Sequence, residues 1–369
     1  MAYKNICGFE LGDSSVCDAT AGTVTFEFDS GNQRSGYGCA YVDGTLGGNN
    51  YLTLTTYTQN IGIPRELAIT NLHVGVAVKI PAAPSGTVQM IVGRNPTHVT
   101  GNIRMNSDRT LSVYTGNTSV ATGSTVLAIN TWYYVEFKTV ASAIGAYELK
   151  INGTTELSGT ANFVAVDYSA VTFGNYTLTF NAYRFYFDDI YINDSEFAPA
   201  VPGIDLLYVS ANGTYTSWVG NRLMVDEFPP DGDTSKSFSS TATTVETYGF
   251  SYDFDHTGCA VAALKHLCVV RVYSGGTPAF KYISRIGTTD DLTDTNDNPG
   301  SDYKTRCRLW ETNWDTLAPL TLANVTEAEA GVYDNSTGAH MLYCTSVSGE
   351  FLYYIPSVTR AKYTPHAGI

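Results

Sequence analysis

Residues 132–154 constrain the fold most, because a period-two alternation of apolar and polar residues fills two segments that end in a tight turn. In residues 132–138, tyrosine, valine and phenylalanine fall on one face of a predicted strand, and charged residues fall on the other. Residues 147–151 repeat this split, and Asn152 and Gly153 then form a favoured turn pair, because both tolerate positive φ. The pattern predicts two neighbouring strands with one aromatic, buried face and one polar, solvated face.

A second aromatic segment predicts a strand with an irregularity in its middle. Its aromatic residues occupy odd-numbered positions from Tyr183 to Phe187, and its apolar residues occupy even-numbered positions from Ile190 onward. That change of parity requires a β-bulge or kink near Asp188 and Asp189. Strands with one aromatic face must pack against a second sheet, so the predicted fold class is all-β, with two β-sandwich (jelly-roll-like) domains in tandem and very little helix.

The domain boundary is predicted at residues 197–205, where two prolines favour an extended and rather stiff connector. We therefore expect a jelly roll over residues 1–196, a linker over 197–205, and a second β-sandwich over 206–369. Thr321 is expected to cap one short helical turn in the second domain. Residues 363–369 are expected to form an exposed arm at the C-terminus.

The charge balance limits the partners that the chain can have. The 35 acidic residues outnumber the 21 basic ones, giving a net charge of −14. Nucleic acid is therefore not an expected partner, because phosphate binding needs clustered Lys or Arg. No hydrophobic run approaches the ~20 residues that span a bilayer, and the N-terminus lacks the apolar stretch of a signal peptide. We expect synthesis in a host cytoplasm and no membrane partner.

Three groups of residues resemble the concanavalin A-like (laminin-G-like) jelly roll. They are the strand opening Trp132-Tyr-Tyr-Val, the strand ending at Asn152-Gly153, and the late strand Phe187-Asp-Asp-Ile-Tyr-Ile. The resemblance extends over roughly residues 8–196. Because this fold serves lectins, hydrolases and structural proteins alike, the resemblance implies an architecture and leaves the function open.

Glu27 and Asp29 match the first two acids of the Glu-x-Asp-x-x-Glu strand that glucanases of this fold use. Those enzymes need the third acid on the same strand face, because a nucleophile and a proton donor must flank the glycosidic bond. Here Asn32 occupies the third position. We predict that the chain is not an enzyme and assign it no catalytic residues.

Two groups of potential metal ligands are better explained without a metal. His256, Cys259, His266 and Cys268 lie within 13 residues, but their spacing does not provide closely spaced ligand pairs, and residues 261–272 are predicted to form a buried strand. Zinc is the alternative interpretation of this group. Asp188 and Asp189 are interpreted as structural residues of the late strand.

Residues Asp290 to Asn298 form an acidic segment that could bind calcium through several oxygens. The segment lacks the glycine and the terminal glutamate of a calcium loop with a defined register. A solvated loop is the preferred prediction, and calcium binding stays open. No phosphate-binding loop, dinucleotide fingerprint or Gly-x-Ser-x-Gly motif occurs, so no cofactor is predicted.

The second half of the chain resembles a domain of tailed-bacteriophage structural proteins that commonly follows a concanavalin A-like domain. The motifs that carry the resemblance are Val225-Asp-Glu-Phe-Pro-Pro-Asp-Gly-Asp, Glu246-Thr-Tyr-Gly-Phe, Cys259-Ala-Val-Ala-Ala-Leu, Trp310-Glu-Thr-Asn-Trp-Asp and Thr326-Glu-Ala-Glu-Ala-Gly-Val. The similarity spans about residues 205–332. Trp314 stands where the family usually has proline, and Leu320 stands where it usually has an aromatic residue.

The resemblance implies a non-enzymatic virion protein on the surface of a tailed bacteriophage, as a capsid decoration, a fibre or a tail appendage. Its expected partners are other virion proteins and further copies of itself in a homotrimer. The alternative is a carbohydrate-binding adhesin for a host glycan, since the 26 tyrosines could form a sugar-stacking platform. A glycan hydrolase is a third hypothesis. The trimer is also expected because the first twenty residues and the C-terminal arm are too polar and Gly-rich to form a core alone.

Overall fold

The computed structural model of the chain describes residues 3–12, 17, 19–28, 30–45, 49–55, 69–95, 97–177, 181–274, 277–293 and 296–356. These residues form two compact units, the first ending at Gly203 and the second running from Ile204 to Pro356. Regular structure within them is almost entirely β-strand, which confirms the all-β class with very little helix. Asp29 and the predicted C-terminal arm lie outside the described residues, and the domain boundaries and linker drawn from the sequence stay predictions.

The first unit is built from short antiparallel strands. They are β1 (Tyr3–Cys7), β2 (Ala19–Ala21), β3 (Thr23–Phe28), β4 (Gly38–Asp43), β5 (Asn50–Thr55), β6 (Asn71–Lys79), β7 (Val88–Arg94), β8 (Val99–Met105), β9 (Leu111–Thr115), β10 (Thr118–Thr122), β11 (Trp132–Val140), β12 (Gly145–Ile151), β13 (Thr154–Ala161), β14 (Ala170–Asn175) and β15 (Arg184–Asn193).

These strands form two sheets whose inner faces pack together as a sandwich. The eight-stranded sheet has the order β13-β12-β11-β6-β15-β4-β3, with β1 paired to β15. The seven-stranded sheet has the order β10-β9-β8-β7-β14-β5-β2. Between the sheets, the ring of Phe173 on β14 meets the ring of Phe187 on β15 edge to face, with centroids 5.8 Å apart. Aromatic pairs of this geometry add to the apolar burial that holds the sheets together.

The turn and the bulge that the sequence predicts are both confirmed. Asn152 and Gly153 connect β12 to β13 with φ values of 51° and 77°, so both adopt the left-handed conformation. In β15, the register against β6 shifts between Asp188 and Tyr191, and Asp189 has a φ of 49°. The bulge moves the apolar side chains back to the buried face after the change of parity.

The prediction of a solvated outer face for the eight-stranded sheet is wrong over part of that face. Glu136 is 2% exposed, and its Oε1 accepts a hydrogen bond of 2.7 Å from the hydroxyl of Tyr191. Burial raises the pKa of this carboxyl, although the Tyr191 bond opposes the shift. The cause is the segment after β15, where Ala198 donates its backbone N–H to Tyr191 and Phe197 packs against His73.

The described residues of the second unit contain, besides a 3-10 turn at Arg222–Met224, longer strands and one short α-helix. They are β16 (Gly203–Thr216), β17 (Ser237–Ser239), β18 (Thr244–Ser251), β19 (Ala260–Ser274), β20 (Phe280–Ile286), β21 (Thr289–Leu292), β22 (Lys304–Trp310), α1 (Leu322–Glu327), β23 (Glu329–Asp334) and β24 (Met341–Tyr354). Thr321 caps α1 through a reciprocal capping box with Asn324, which confirms the predicted cap. No helix in the described part of the chain is long and apolar enough to cross a membrane.

The strands of the second unit form one sheet that closes around its own core. Its order is β21-β20-β23-β18-β16-β24-β19-β22, with β17 paired to β24. The side chain of Asp291 on edge strand β21 accepts hydrogen bonds from Trp310 (2.7 Å) and Arg308 (2.8 Å) on the opposite edge strand β22. The two edges therefore meet, and the aromatic core lies inside the curved sheet.

Candidate functional site

The outer face of the eight-stranded sheet carries a row of large side chains in direct cross-strand register. Tyr41 on β4 pairs with Tyr186 on β15, Tyr186 pairs with Lys79 on β6, and Lys79 pairs with Trp132 on β11. Directly paired residues place their side chains on the same face of a sheet. We call Tyr41, Tyr186, Lys79 and Trp132 the aromatic row. All four are half-buried, so their side chains are partly accessible to solvent.

The ammonium group of Lys79 lies between two rings of the aromatic row. Its Nζ is 4.5 Å from the centre of the Tyr186 ring and 5.1 Å from that of Trp132. It also donates hydrogen bonds to the backbone oxygen (3.0 Å) and the side-chain Oδ1 (3.1 Å) of Asn32. Burial lowers the pKa of Lys79, and nearby carboxylates oppose the shift. The lysine fixes the spacing of the two rings through cation–π contacts.

The rings of Tyr41 and Tyr186 extend the aromatic row toward the edge of the sheet. Their centroids are 4.7 Å apart with an interplanar angle of 34°. The hydroxyl of Tyr41 donates to the carboxylate of Asp43, and Arg184 lies 3.4 Å from the same carboxylate. The row therefore combines apolar ring surface with charged groups at its margin.

Glu27, the first acid of the incomplete glucanase motif, lies beside the aromatic row. Its Oε2 accepts hydrogen bonds from Ser30 Oγ (2.7 Å) and Asn32 Nδ2 (2.8 Å). Asn32, which replaces the third acid, thus donates to Glu27 and accepts from Lys79. The structure joins Glu27 and Asn32 in one network with the lysine of the row. The prediction that the chain is not an enzyme stays a prediction.

Asp188 and Asp189 occupy buried positions at the bulge, away from solvent. Asp188 Oδ2 accepts the backbone N–H of Arg34 at 2.7 Å, and Asp189 forms an ion pair with the Arg34 guanidinium. Tyr134 donates its hydroxyl to the backbone oxygen of Asp189 at 2.9 Å. Burial and the neighbouring Asp189 carboxylate raise the pKa of Asp188. These contacts fix the loop that carries Asn32, which agrees with the structural role inferred from the sequence.

The structure separates the histidines of the possible zinc group. His256 Nε2 lies 2.8 Å from Asp205, whereas His266 Nδ1 lies 3.0 Å from the hydroxyl of Ser284. Burial lowers the pKa of His266 to about 3, so its imidazole is neutral at ordinary pH. Among the described residues, no cluster of three or more His, Cys, Asp or Glu side chains could hold a metal ion.

The carboxylates of the acidic segment from Asp290 to Asn298 point to different arginine partners. Asp290 forms an ion pair with Arg285, Asp291 with Arg308, and Asp297 with Arg306. Each pair neutralises one of the carboxylates that a calcium ion would need. Asp294 lies outside the described residues.

Sequence reasoning placed Trp132 on a strand but did not identify the aromatic row. The available signal was the parity of β11, where Trp132 and Tyr134 alternate with Tyr133 and Val135 of the opposite face. The pattern of β11 does not identify its partner strands, and the row joins residues from four strands that are distant in the sequence.

Comparison with known proteins gave matches among solved structures alone. No family model matches the chain, and no curated protein matches it. The cellulose-induced protein Cip1 is 15% identical over 53% of this chain and 99% of that one, with a TM-score of 0.40. Domain 4 of AbnA, an extracellular arabinanase from Geobacillus stearothermophilus in complex with arabinotriose, is 15% identical over 53% and 94%, with a TM-score of 0.35.

An endo-β-1,4-glucuronan lyase from the fungus Trichoderma reesei is 11% identical over 48% of this chain and 91% of that one, with a TM-score of 0.35. Identities and TM-scores this low define no family and no activity for the chain.

Proposed function

We propose that this chain is a glycan-binding protein that holds carbohydrate against the aromatic row. The observation that carries the proposal is the alignment of Trp132, Tyr186 and Tyr41 on one outer sheet face. Aromatic rings offer large, rigid apolar surfaces, and the tyrosines add a polar tip. A sugar ring has apolar C–H faces and a polar hydroxyl edge. Stacking on the rings, with hydrogen bonds to Glu27 and Asn32, matches both parts of such a ligand.

The resemblance of residues 205–332 supports placing this protein on the surface of a tailed-bacteriophage particle. In that setting the glycan is one exposed by the bacterial host, and the protein acts by binding without catalysis. The proposed glycan binding is the same whether the protein is a capsid decoration, a fibre or a tail appendage. A cryo-EM map of the particle tests the location directly, and a particle without density for this fold contradicts it.

The binding proposal predicts that substitution of Trp132 weakens carbohydrate binding. We expect Trp132→Ala to reduce the affinity for a neutral oligosaccharide at least tenfold, because it removes the largest ring of the row. A glycan array with the full chain identifies the oligosaccharide, and isothermal titration calorimetry then measures the affinity of each variant. Circular dichroism of both proteins checks that the fold is retained.

Tyr273→Ala provides a matched control, because Tyr273 is 60% exposed and lies in the second unit. This variant should bind as the unmodified protein does. Equal affinity of Trp132→Ala and the unmodified protein would refute the aromatic row as the site. Cleavage of a glycan that is lost in Glu27→Gln would contradict the non-enzymatic part of the proposal.

A further inference from the structure

A lysine, an asparagine and a glutamate are hydrogen-bonded in sequence on the outer side of the eight-stranded sheet. Lys79 Nζ donates to the side-chain Oδ1 of Asn32 at 3.1 Å, and Asn32 Nδ2 donates to Glu27 Oε2 at 2.8 Å. The three residues come from β6, from the loop after β3 and from β3 itself. We call Lys79, Asn32 and Glu27 the amide triad.

The two partners of the Asn32 side chain define which way its amide points. Oδ1 faces an ammonium group, which only donates hydrogen bonds, and Nδ2 faces a carboxylate, which only accepts them when ionised. The opposite orientation would place donor against donor and acceptor against acceptor, so the contacts assign the oxygen and the nitrogen. The carbonyl carbon Cγ of Asn32 therefore lies between the amine and the acid.

The amine of Lys79 lies within reach of this carbon. A C=O bond is about 1.2 Å long and Nζ is 3.1 Å from Oδ1, so Nζ lies no more than about 4.3 Å from Cγ. Nζ also donates to the backbone oxygen of Asn32 at 3.0 Å, which holds the lysine against this one residue. A small rotation of the lysine side chain brings the two atoms to the separation of roughly 3–3.5 Å from which a bond forms.

The loop that carries Asn32 is fixed by its own hydrogen bonds. Ser30 Oγ accepts the backbone N–H of Asn32 at 3.3 Å and donates to Glu27 Oε2 at 2.7 Å. Two residues beyond Asn32, the backbone N–H of Arg34 donates to the buried carboxylate of Asp188 at 2.7 Å. A reaction between groups that are already positioned loses little entropy on the way to its transition state.

The surroundings of Lys79 favour a nucleophilic amine. Its Nζ lies between the rings of Tyr186 and Trp132, 4.5 Å and 5.1 Å from their centres. Burial lowers the pKa of Lys79, although Glu27 and Asp188 oppose the shift, so more of the amine is unprotonated than in an exposed lysine. A lysine that is partly removed from water is an activated nucleophile.

We propose that Lys79 and Asn32 form an intramolecular isopeptide bond, with Glu27 as the group that transfers the proton. The unprotonated Nζ attacks Cγ of Asn32, and the electron pair of the C=O bond moves to Oδ1. In the resulting tetrahedral intermediate both nitrogens are bonded to the same carbon, so Glu27 takes a proton from Nζ and delivers it to Nδ2.

The intermediate then loses ammonia. The Cγ–Nδ2 bond breaks as the C=O bond forms again, and the Glu27 carboxylate is restored. One amide replaces another, so the step consumes no oxidant or reductant. The reaction occurs once in each chain, which distinguishes it from the turnover of an enzyme.

The new bond joins two parts of the sheet that backbone hydrogen bonds do not join directly. β3 is an edge strand, and β4 and β15 separate it from β6. The bond ties the loop after this edge strand to β6 and closes a covalent ring over residues 32–79. Such a ring restricts the unfolded chain as a disulfide does, so the first unit becomes more resistant to unfolding.

Intact-protein mass spectrometry of the full chain tests the inference in the absence of any carbohydrate. We expect the folded protein to weigh about 17 Da less than its sequence requires, which is the mass of one ammonia molecule. Tandem mass spectrometry of a tryptic digest should then find the peptide that contains Asn32 joined to the peptide that contains Lys79.

Three variants separate the amide triad from the rest of the sheet. Lys79→Arg keeps the positive charge and removes the nucleophile, so this variant should have its full sequence mass. Glu27→Gln removes the group that transfers the proton, so the bond should form at least about tenfold more slowly. Lys150→Arg is the matched control. Lys150 is a half-buried lysine of the same sheet that contacts the ring of Phe197, and its variant should lose ammonia as the unmodified protein does.

Either of two results would overturn the inference. The first is the full sequence mass for the folded, unmodified protein. The second is an equal loss of mass in Lys79→Arg, which would assign the ammonia to a succinimide, for example at Asn152, where Gly153 leaves room for attack by the backbone nitrogen. Circular dichroism checks that Lys79→Arg is folded, and an equal rate of bond formation in Glu27→Gln would independently contradict the role of the glutamate. Since no glycan is present, failure of this inference leaves the proposed glycan binding untouched.

Discussion

Gly75 shows how a single residue permits the packing of the outer face. It lies in the middle of β6, with the rings of Tyr191 and Tyr134 above it. A Cβ atom at this position would lie 2.2 Å from Cε1 of Tyr191 and 2.7 Å from the Tyr134 hydroxyl. Gly75 and Ala77 leave this side of β6 with little bulk of its own. The space is filled by tyrosines from neighbouring strands, which the sequence of β6 cannot reveal.

Substitution of Gly75 by alanine should therefore destabilise the first unit. We expect Gly75→Ala to lower its free energy of unfolding by about 1–3 kcal/mol, because both tyrosine rings would have to move in a closely packed layer. Differential scanning calorimetry measures the change. Gly249→Ala is the control, because a Cβ at Gly249 would lie 3.7 Å from Ala211 Cβ, an ordinary contact. A shift in Gly75→Ala no larger than that of the control would contradict the prediction.

At the scale of strands and turns, the features that the sequence predicted correctly are those with local causes. The turn at Asn152 and Gly153, the bulge at Asp189 and the cap at Thr321 each follow from residues within a few positions of one another. The sequence did not predict the aromatic row, because its members come from four strands that are not consecutive in the chain. Their alignment depends on the sheet order β11-β6-β15-β4, which period-two patterns do not encode.

Glu246 gives strand β18 a pH-dependent contribution to stability. The side chain is 2% exposed, and its Oε2 accepts the backbone N–H of Trp218 at 2.9 Å. Burial raises the pKa of Glu246 to about 7, although the hydrogen bonds from Trp218 and Ser217 oppose the shift. The folded protein thus keeps a proton that the unfolded chain releases near its ordinary pKa of 4.5. Between those values the folded state binds more protons, so its stability falls as the pH rises.

We expect Glu246→Gln to flatten this pH dependence. In the unmodified protein, Glu246 should lower the free energy of unfolding of the second unit between pH 5 and 7.5 by at most about 3 kcal/mol. Urea unfolding at both pH values measures the difference for each protein. Glutamine remains neutral and keeps an oxygen for the Trp218 N–H. Exposed Glu327→Gln serves as the control, and an unchanged slope in Glu246→Gln would show that another group causes the dependence.

At the scale of the molecule, the structure changes the argument for self-association. The sequence suggested that the first twenty residues order against a neighbouring copy. Instead, β1 pairs with β15, and Tyr3, Ile6 and Phe9 are buried within their own unit. The homotrimer stays a prediction that depends on the phage resemblance and on the sheet edges, since an exposed edge such as β13 can pair with another chain.

The trimer prediction is tested by the mass of the protein in solution. Light scattering coupled to size-exclusion chromatography should give three times the 39.9 kDa mass of one chain at micromolar concentration. The net charge of −14 opposes loose association at low salt, so a specific trimer should persist when the salt concentration is lowered. A monomer at every salt concentration would contradict the prediction.

The contact of Asp291 with Arg308 and Trp310 has a mechanical consequence for the second unit. In an open sheet, a pulling force can peel the outermost strand away one hydrogen bond at a time. Here the outermost strands β21 and β22 are joined by an ion pair and an indole hydrogen bond. Neither strand can peel away before these two contacts break. We therefore expect the two edge strands to separate together under force, and not one at a time. A protein anchored at one end and attached to a moving cell at the other would resist shear for that reason.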